Sequence, residues 1–259
     1  IRDRANYGPS ELRDVGQSFN NMSIAVDNLI SNQHNLLSSI SHELKTPLTR
    51  LQLATALIRH QIGDSDPVKR IEKEIQQMDK MISELLLVSH QKMDSQMKHH
   101  LFSIVQLWDE VIEDALFEAQ QRRITCDVNI AILHPEEYVI SGNLSLLASA
   151  VENIIRNALK YTKNRICLTI NLYRNENDDD FLQIRVDDNG LGLPPEEFHN
   201  IFKPFYRVDE ARTRETGGTG LGLTIVYNVV SEHQGKVWAE QSILGGLAVT
   251  IQLPLWKQS

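Results

Sequence analysis

The stretch Ser-Ile-Ser-His-Glu-Leu-Lys-Thr-Pro-Leu-Thr-Arg, residues 39–50, places a histidine beside a carboxylate in the middle of an apolar-periodic segment. Apolar residues recur at steps of three and four on both sides of it, which predicts a helix with one apolar stripe. A lone histidine on a helix is usually solvated or packed in a core. His42 is followed by Glu43, Thr46 and Pro47, and this combination makes it a candidate nucleophile.

The apolar seam extends beyond this stretch in both directions. Its earlier part consists of Leu12, Val15, Phe19, Met22, Val26 and Leu29, and its later part of Leu37, Ile40, Leu44, Leu48, Leu51, Thr55 and Ile58. Between Leu29 and Leu37 it passes through polar Gln33 in two steps of four, a stutter that locally unwinds a coiled coil. Pro47 removes the helical hydrogen bond to the Glu43 carbonyl, which predicts a bend just beyond His42.

A second helix is predicted after a break at residues 63–67, where glycine, aspartate, serine and proline cluster. Asp66 is expected to cap this helix, with Pro67 at its first position. Its seam contains Val68, Ile71, Ile75, Met78, Ile82 and Leu85. Two helices with one seam each cannot bury both faces alone, so we predict an all-α helical hairpin that dimerises into a four-helix bundle.

The pattern changes after residue 98. Alternating apolar residues predict a strand hairpin over 165–187 and further strands at 235–241 and 247–253. Helices are predicted at 104–121, 144–160 and 221–234. Strands in one layer and helices in another predict an α/β sandwich.

Composition narrows the class of protein. A net charge of −8 over 259 residues argues against a nucleic-acid partner. The cysteines Cys126 and Cys167 have no metal or redox spacing and are interpreted as reduced thiols. No apolar run approaches the roughly 18 residues that span a bilayer. The chain opens at Ile1 within an amphipathic pattern, so we expect it to be the cytoplasmic fragment of a longer protein.

Two glycine-rich segments are candidate phosphate-binding loops. Residues 187–192 (Asp-Asp-Asn-Gly-Leu-Gly) close a predicted strand, and residues 217–223 (Gly-Gly-Thr-Gly-Leu-Gly-Leu) open a predicted helix. Glycines let backbone amides approach phosphates, and a helix N-terminus favours anions. Either segment alone is equally consistent with a simple turn. Neither matches the P-loop or the dinucleotide-binding pattern.

Between these loops lies an aromatic segment, Phe-Lys-Pro-Phe-Tyr-Arg at 202–207, followed by a polar stretch over 208–216. One interpretation is an aromatic pair that anchors the core beside a surface loop. The other is a hinge and lid, in which Arg207, Arg212 and Arg214 meet a triphosphate, because guanidinium groups suit phosphate oxygens.

Asn153 and Asn157 share one face of a predicted helix. Asparagine is a modest helix former, and capping does not explain Asn157 in mid-helix. An amide oxygen can ligate Mg²⁺, which prefers hard oxygen ligands completed by phosphates and water. Lys160, one turn beyond Arg156, is close enough to reach a phosphate.

These motifs occur in a fixed order that resembles the sensor histidine kinases of two-component systems. They are a histidine box (His42), an asparagine box (Asn153, Asn157), a first glycine box (188–192), a phenylalanine box (202–205) and a second glycine box (218–222). The resemblance covers nearly the whole chain. More narrowly, residues 41–53, 153–161 and 205–212 resemble the Cpx-type envelope-stress sensor kinases of Gram-negative bacteria.

The resemblance implies three regions. Residues 1–30 resemble the C-terminal part of a HAMP signal-relay module with its signalling helix. Residues 31–95 would form the dimerisation and histidine-phosphotransfer domain, and residues 98–257 an ATP-binding domain with the Bergerat (GHKL) fold. The parent would be a bacterial inner-membrane protein, acting as a homodimer with a cognate Cpx-type response regulator.

The resemblance also assigns roles to residues. Asp188 would accept from the adenine amino group, and Asn157 would ligate Mg²⁺. The nucleotide site would further contain Asn153, Lys160, Tyr161, Arg207, Gly190, Gly192, Gly218, Thr219, Gly220, Leu221 and Gly222. Arg212 and Arg214 both fall where a cation for the γ-phosphate is expected. His42 would accept the phosphoryl group, with Glu43 holding its other ring nitrogen, and Thr46 would support phosphatase activity toward the regulator.

Two alternatives remain open at this point. A GHKL ATPase of the clamp or chaperone type needs a carboxylate one helical turn before the Mg²⁺-binding asparagine, and here that position is Asn153. Glu152 is adjacent but belongs to a different helix face. A pure coiled-coil interaction protein would not require the complete motif set.

Overall fold

The computed structural model describes residues 10–63, 65–90, 100–208 and 219–256. Its contacts divide the chain into two compact units, Ile1–Ser95 and Gln96–Ser259. The first unit is helical, and the second combines helices with a β-sheet. The predicted helical hairpin and α/β sandwich are therefore both confirmed. The first nine residues of the HAMP-like region, 1–9, lie outside the described residues.

The first unit consists of helices α1 (Ser10–Ile62) and α2 (Asp66–His90). Leu48 of α1 and Val68 and Ile75 of α2 are buried where the two helices contact each other. Arg59 and Glu72 form an ion pair across the helices at 3.2 Å. The helix α1 continues through Pro47, so the missing amide hydrogen does not end it. The predicted bend beyond His42 stays a prediction.

The start of α2 differs from the sequence prediction. The helix begins at Asp66, and the amide of Lys69 donates to the carbonyl of Ser65 at 3.0 Å. Ser65 therefore occupies the capping position, and Pro67 is the second helical residue rather than the first. Asp66 then lies in the first turn, where its carboxylate is favoured by the helix dipole. The preceding helix ends at Ile62, and the next residue, Gly63, has a φ of 78°, which suits a residue without a side chain.

Within its described residues, the second unit contains a five-stranded sheet, a two-stranded sheet and three α-helices. The strands are β1 (His100–Ser103), β2 (Thr125–Ala131), β3 (Val139–Gly142), β4 (Arg165–Arg174), β5 (Asp180–Asp188), β6 (Lys236–Gln241) and β7 (Leu247–Pro254). The helices are α3 (Asp109–Gln121), α4 (Leu144–Tyr161) and α5 (Gly222–Glu232). The larger sheet has the order β2-β4-β5-β7-β6, and β1 pairs with β3.

The core of this unit lies between the larger sheet and its helices. Only β2 and β4 run parallel; the other neighbouring strands of the five-stranded sheet are antiparallel. Alternate residues of β4 and β5 are buried, as the period of two predicts: Ile166, Leu168, Ile170, Leu182, Ile184 and Val186. Helices α4 and α5 contact each other, and both contact β7. This arrangement brings the C-terminal end of β5 beside α4.

One predicted helix is wrong in part. The segment 104–121 is a short 3₁₀ turn (Ile104–Leu107) followed by α3, with non-helical Trp108 between them. The hydroxyl of Ser103 caps the 3₁₀ turn by accepting from the amide of Val105, at 3.4 Å. The strands β1, β2 and β3 were not predicted. Across the described residues, no helix is both long and apolar enough to cross a bilayer.

Candidate nucleotide site and phospho-acceptor helix

Asp188 ends β5 and is almost fully buried, with 3% of its surface exposed. Its Oδ1 accepts hydrogen bonds from the amides of Gly190, at 2.7 Å, and Leu247, at 3.2 Å. Burial raises the pKa of this carboxyl above its ordinary value, while the two amide bonds act in the opposite direction. Asp188 is therefore held in a defined orientation inside the unit.

The first glycine box passes directly against the end of α4. A Cβ on Gly190 would lie 2.3 Å from the carbonyl oxygen of Tyr161, so no larger residue fits. Gly192 has a φ of 66°, in the left-handed region that glycine adopts without strain. The loop therefore joins Asp188 to the C-terminal end of the asparagine-bearing helix.

The second glycine box reaches the same helix at a different point. A Cβ on Gly222, the first residue of α5, would lie 3.2 Å from Oδ1 of Asn153. The side-chain amide of Asn153 donates to the carbonyl of Ser149 at 2.9 Å, which leaves its oxygen toward α5. Both glycine boxes thus contact α4, one at Tyr161 and one at Asn153.

The two faces of α4 differ in chemistry. Asn153, Asn157 and Lys160 are half-buried. Lys160 also lies over the ring of Tyr161, with Nζ 4.9 Å from the ring centroid. On the exposed side, Arg156 and Glu152 form an ion pair one helical turn apart. Glu152 is therefore engaged with Arg156 and exposed, rather than half-buried with the asparagines.

The phenylalanine box divides into a buried and an exposed half. Phe202 is buried, and its ring centroid lies 6.3 Å from that of Tyr227 on α5. Phe205 is 63% exposed and has a φ of 60°. Of the two aromatic interpretations, the core anchor holds for Phe202 only. Phe205 instead lies at the base of the predicted lid.

Backbone contacts join the two ends of this lid. The amide of Phe205 donates to the carbonyl of Gly220 at 3.1 Å. Gly220 has a φ of 73°, and a Cβ there would lie 3.0 Å from the Phe205 backbone. Next to this junction, the hydroxyl of Tyr206 donates to the carboxylate of Glu197, which lowers the pKa of Glu197. Phe205 and Gly220, on either side of the predicted lid segment, are therefore in direct contact.

Several predicted site residues belong to the segment that the sequence predicts to be a lid. Arg212, Arg214 and Gly218 are outside the described residues. Arg207 is half-buried at the start of the lid. At its end, the Thr219 hydroxyl accepts from the amide of Leu221 at 3.2 Å, and Leu221 is buried.

Asn189 is a structural residue of the site that was not predicted. Its Oδ1 accepts from the hydroxyl of Thr162 at 2.7 Å and from the amide of Arg165 at 3.1 Å. The amides of Lys163 and Asn164 donate to the same oxygen at 3.1 Å. Asn189 thus holds the loop between α4 and β4. Its place beside Asp188 in the first glycine box is the only sequence signal for this role.

The candidate phospho-acceptor belongs to the other unit. His42 lies within α1, and its side chain is outside the described atoms. Glu43 and Thr46 are exposed on the same helix. Thr46 follows His42 by one helical turn, so the two residues share a helix face.

Comparisons with known families match both units. Residues 32–92 match the His Kinase A (phospho-acceptor) domain. Residues 142–257 match the family of histidine kinase-, DNA gyrase B- and HSP90-like ATPases. The full-length ShkA structure in complex with AMPPNP covers 87% of this chain and 46% of its own, with a TM-score of 0.68 and 19% identity. At that identity the likeness concerns the fold alone.

Curated relatives extend the match over the whole chain. The sensor histidine kinase CpxA of Escherichia coli K12 is 46% identical over 97% of this chain and 53% of its own length. The CpxA protein of Klebsiella pneumoniae is 45% identical over 97% of this chain and 54% of its own. The chain thus spans about half the length of the curated relatives it matches. With a phospho-acceptor domain followed by an ATPase domain of this kind, the chain belongs to the sensor histidine kinase family.

Proposed function

We propose that this chain transfers the γ-phosphoryl group of ATP to His42 and then supplies it to an aspartate of a response regulator. The observation that carries the proposal is the contact of both glycine boxes with α4, at Tyr161 and at Asn153. That contact gathers the two glycine boxes and the asparagine box around one helix, with Asp188 buried beside it. The family matches over 32–92 and 142–257 support an acceptor and an ATP-binding unit in one chain.

The nucleotide would be recognised at its two ends by different elements. Asp188, buried and oriented by Gly190 and Leu247, is suited to accept from the adenine amino group. Asn157 and Lys160, on the half-buried face of α4, are suited to the phosphates. An amide oxygen fits a Mg²⁺ site in which phosphates and water supply the other ligands, so Asn157 would hold the ion. When bound, Mg²⁺ offsets negative charge on the phosphates.

The transfer step joins a ring nitrogen of neutral His42 to the γ-phosphorus as the bond to the ADP oxygen breaks. The attacking nitrogen carries the lone pair, so the proton stays on the other ring nitrogen. Glu43 would accept a hydrogen bond from that N–H, which fixes the tautomer and raises nucleophilicity. Arg207, with Arg212 or Arg214 of the lid, would meet the charge on the transferring group.

The clamp-type ATPase is the weaker alternative. Water activation in such an enzyme needs a carboxylate directed at the nucleotide, and Glu152 is the nearest one in sequence. Glu152 is exposed and ion-paired with Arg156, while the half-buried position facing α5 holds Asn153. An amide cannot accept a proton from water at this site. This supports a protein that retains the phosphoryl group for His42.

The parent protein would work in envelope-stress signalling. The similarity to CpxA supports a homodimeric inner-membrane sensor with a CpxR-like response regulator as its partner. The HAMP-like residues 1–30, of which residues 10–30 belong to α1, would relay the signal along this helix toward His42. The same chain would also remove the phosphoryl group from its regulator, with the Thr46 hydroxyl orienting the attacking water.

Labelling with γ-labelled ATP tests the central proposal. The unsubstituted chain, incubated with Mg²⁺, should acquire radiolabel that is acid-labile and base-stable, as phosphohistidine is. His42→Ala should acquire none and still bind ATP, because His42 lies in a different unit from the nucleotide site. His60→Ala, which changes another histidine of α1, is the matched control and should label normally. Label that persists in His42→Ala would contradict the assignment.

Phosphatase activity has its own test at Thr46. Thr46→Ala should keep autophosphorylation and transfer, whereas phosphorylated regulator should decay at least about tenfold more slowly with it than with the parent. Thr49→Ala is the control, because the Thr49 hydroxyl donates to the Lys45 carbonyl at 2.9 Å and serves the helix. Equal decay with parent and Thr46→Ala would leave Thr46 as a helix residue only.

A further inference from the structure

Asp187 is buried next to Asp188 without belonging to the same side of the sheet. Successive residues of a strand point to opposite faces, so Asp187 cannot share the nucleotide face with Asp188. Only 2% of its surface is exposed. A carboxylate buried in this way is costly unless it is paired and hydrogen-bonded. The hydrogen-bond partners of Asp187 therefore indicate its structural role.

Two side chains hold the Asp187 carboxylate. Arg185 donates to both of its oxygens, from Nε at 2.7 Å and from Nη2 at 3.0 Å. Arg185 also pairs with Glu240 of β6. The hydroxyl of Ser242 donates to Oδ1 of Asp187 at 2.8 Å and is itself buried. Strand β5 is thereby tied to the residue that follows β6.

Ser242 opens the turn that leads from β6 into β7, and it organises this turn. Its amide donates to the carbonyl of Gly246 at 2.9 Å. Its carbonyl accepts from the amide of Gly245 at 3.0 Å. Its hydroxyl oxygen also accepts from the amide of Leu244 at 3.0 Å. The turn 242–246 is therefore built around Ser242.

The far end of this turn touches Asp188. The amide of Gly246 donates to the Asp188 carbonyl at 3.1 Å, and the amide of Leu247 donates to Oδ1 of Asp188 at 3.2 Å. A Cβ on Gly246 would lie 2.1 Å from that Oδ1. The turn and the carboxylate are in such close contact that a displacement of one must move the other.

We propose that Ser242, Asp187 and Arg185 are positioning residues that fix the Asp188 carboxylate for recognition of the adenine base. The link runs from Asp187 through the Ser242 hydroxyl and the turn 242–246 to the amides that bind Asp188. This inference rests on the proposed nucleotide site. It assigns a role to Asp187, which directly precedes the first glycine box and points to the opposite face of the sheet from Asp188.

If these residues position Asp188, their loss should weaken binding of the adenine base and leave binding of the phosphates unchanged. Loss of the Ser242 hydroxyl releases the turn, so the Gly246 and Leu247 amides no longer hold Asp188 in one orientation. Asn157 and Lys160 lie on α4 and keep their positions. Affinity for an adenine nucleotide should therefore fall, while affinity for a guanine nucleotide, which gains little from Asp188, should hardly change.

The test compares binding of non-hydrolysable ATP and GTP analogues by calorimetric titration of the whole chain with Mg²⁺. Ser242→Ala should weaken the ATP analogue roughly tenfold, the equivalent of about 1.4 kcal/mol. The GTP analogue should change by less than about threefold, on the same scale. Ser242→Thr, which keeps the hydroxyl, should restore most of the difference. Ile243→Ala is the control in the same turn, because Ile243 is 86% exposed.

Two further variants keep the outcomes distinct. Asp188→Asn should lower the ATP-to-GTP affinity ratio if the proposed nucleotide site is correct. Equal affinity for the two analogues in the unsubstituted chain would contradict that site itself. A normal ratio in Ser242→Ala, beside a reduced one in Asp188→Asn, would overturn only the positioning role. Equal losses for both nucleotides would also overturn it. If Ser242→Ala does not melt cooperatively, Arg185→Gln takes its place and should lower the ratio in the same direction.

Discussion

The two units of the chain differ in how far they bury the apolar residues of their helices and strands. In the ATP-binding unit, Ile170 and Ile184 are fully covered by the unit's own helices and strands. In the helical hairpin, Leu48 and Ile75 are buried, but seam residues such as Leu51, at 52% exposed, remain open. The core of the ATP-binding unit is therefore buried by this chain alone. The hairpin needs a second surface, and another copy of the same hairpin would supply it.

The largest expected effect is on the open seam. Leu51→Lys should convert a dimer into a monomer, because a lysine charge cannot be buried where a leucine packs. A buried leucine contributes about 1.5–3 kcal/mol, so its loss from both copies costs about 3–6 kcal/mol of dimerisation free energy. That is roughly 100- to 20,000-fold in the dissociation constant. Light scattering at micromolar concentration measures the change.

The matched control is Gln52→Lys, which adds a lysine at the next, off-seam position. It should leave the dimer intact. A parent protein that is already monomeric, or a Leu51→Lys protein that stays dimeric, would break the comparison between the two units.

A core substitution in the ATP-binding unit should act on that unit alone. Ile184→Ala removes a fully buried side chain from β5 and leaves a cavity, at a cost of about 2–5 kcal/mol of unfolding free energy. Thermal melting should show the loss in the transition of the ATP-binding unit, and light scattering should still find the dimer. A dimer that dissociates with this substitution would show that the two units are not independent in this respect.

The asparagine face of α4 carries a smaller effect. Asn157→Ala removes the proposed Mg²⁺ ligand and should weaken Mg²⁺-dependent ATP binding by about 10- to 100-fold. Titrations with and without Mg²⁺ separate this loss from general damage, because Mg²⁺-free binding should be unchanged. Glu152→Ala on the exposed face is the control and should bind ATP as the parent does.

The smallest effect is on pH dependence. Burial raises the pKa of Asp188, and the proposed recognition of adenine would need its ionised form. ATP affinity should therefore fall as pH decreases through this raised pKa, earlier than for an ordinary carboxyl. The same shift means that the folded protein favours the protonated form. Its stability contribution is present below the unfolded pKa and is lost as pH rises through the folded one.

ATP titrations at decreasing pH measure this fall in affinity. The side chain of Asp188→Asn cannot ionise, so its weaker ATP binding should show no such fall. If the affinity falls at the same pH in the unsubstituted chain and in Asp188→Asn, another group is responsible.

Local sequence patterns were sufficient to predict a helix or strand where one apolar periodicity extends over a long segment. The seams of α1 and α2, and the alternation of Ile166 with Leu168 or Ile184 with Val186, predict elements that the structure contains. The four-residue strands β1 and β3 are too short for a period to be visible. The prediction of one helix over 104–121 was wrong because the Ser103 cap makes a separate 3₁₀ turn.

In the site, too, some residues could be predicted from local motifs and others could not. Asp188, Asn153 and Asn157 were predicted from motifs, and the structure brings Asn153 and the glycine boxes together along α4. The roles of Asn189 and Ser242 depend on loops that are distant in sequence, at 162–165 and 242–246. No local pattern predicts such contacts, because they arise only when β5 takes its place between β4 and β7.

The position of the phosphoryl group after incubation with ATP and Mg²⁺ shows directly whether His42 is the acceptor. Proteolysis and mass spectrometry at neutral or alkaline pH preserve phosphohistidine and identify the modified residue. We expect the peptide over residues 39–50 to carry the group on His42. Phosphate on His34, His60 or His90, or on a serine or threonine hydroxyl, would contradict it.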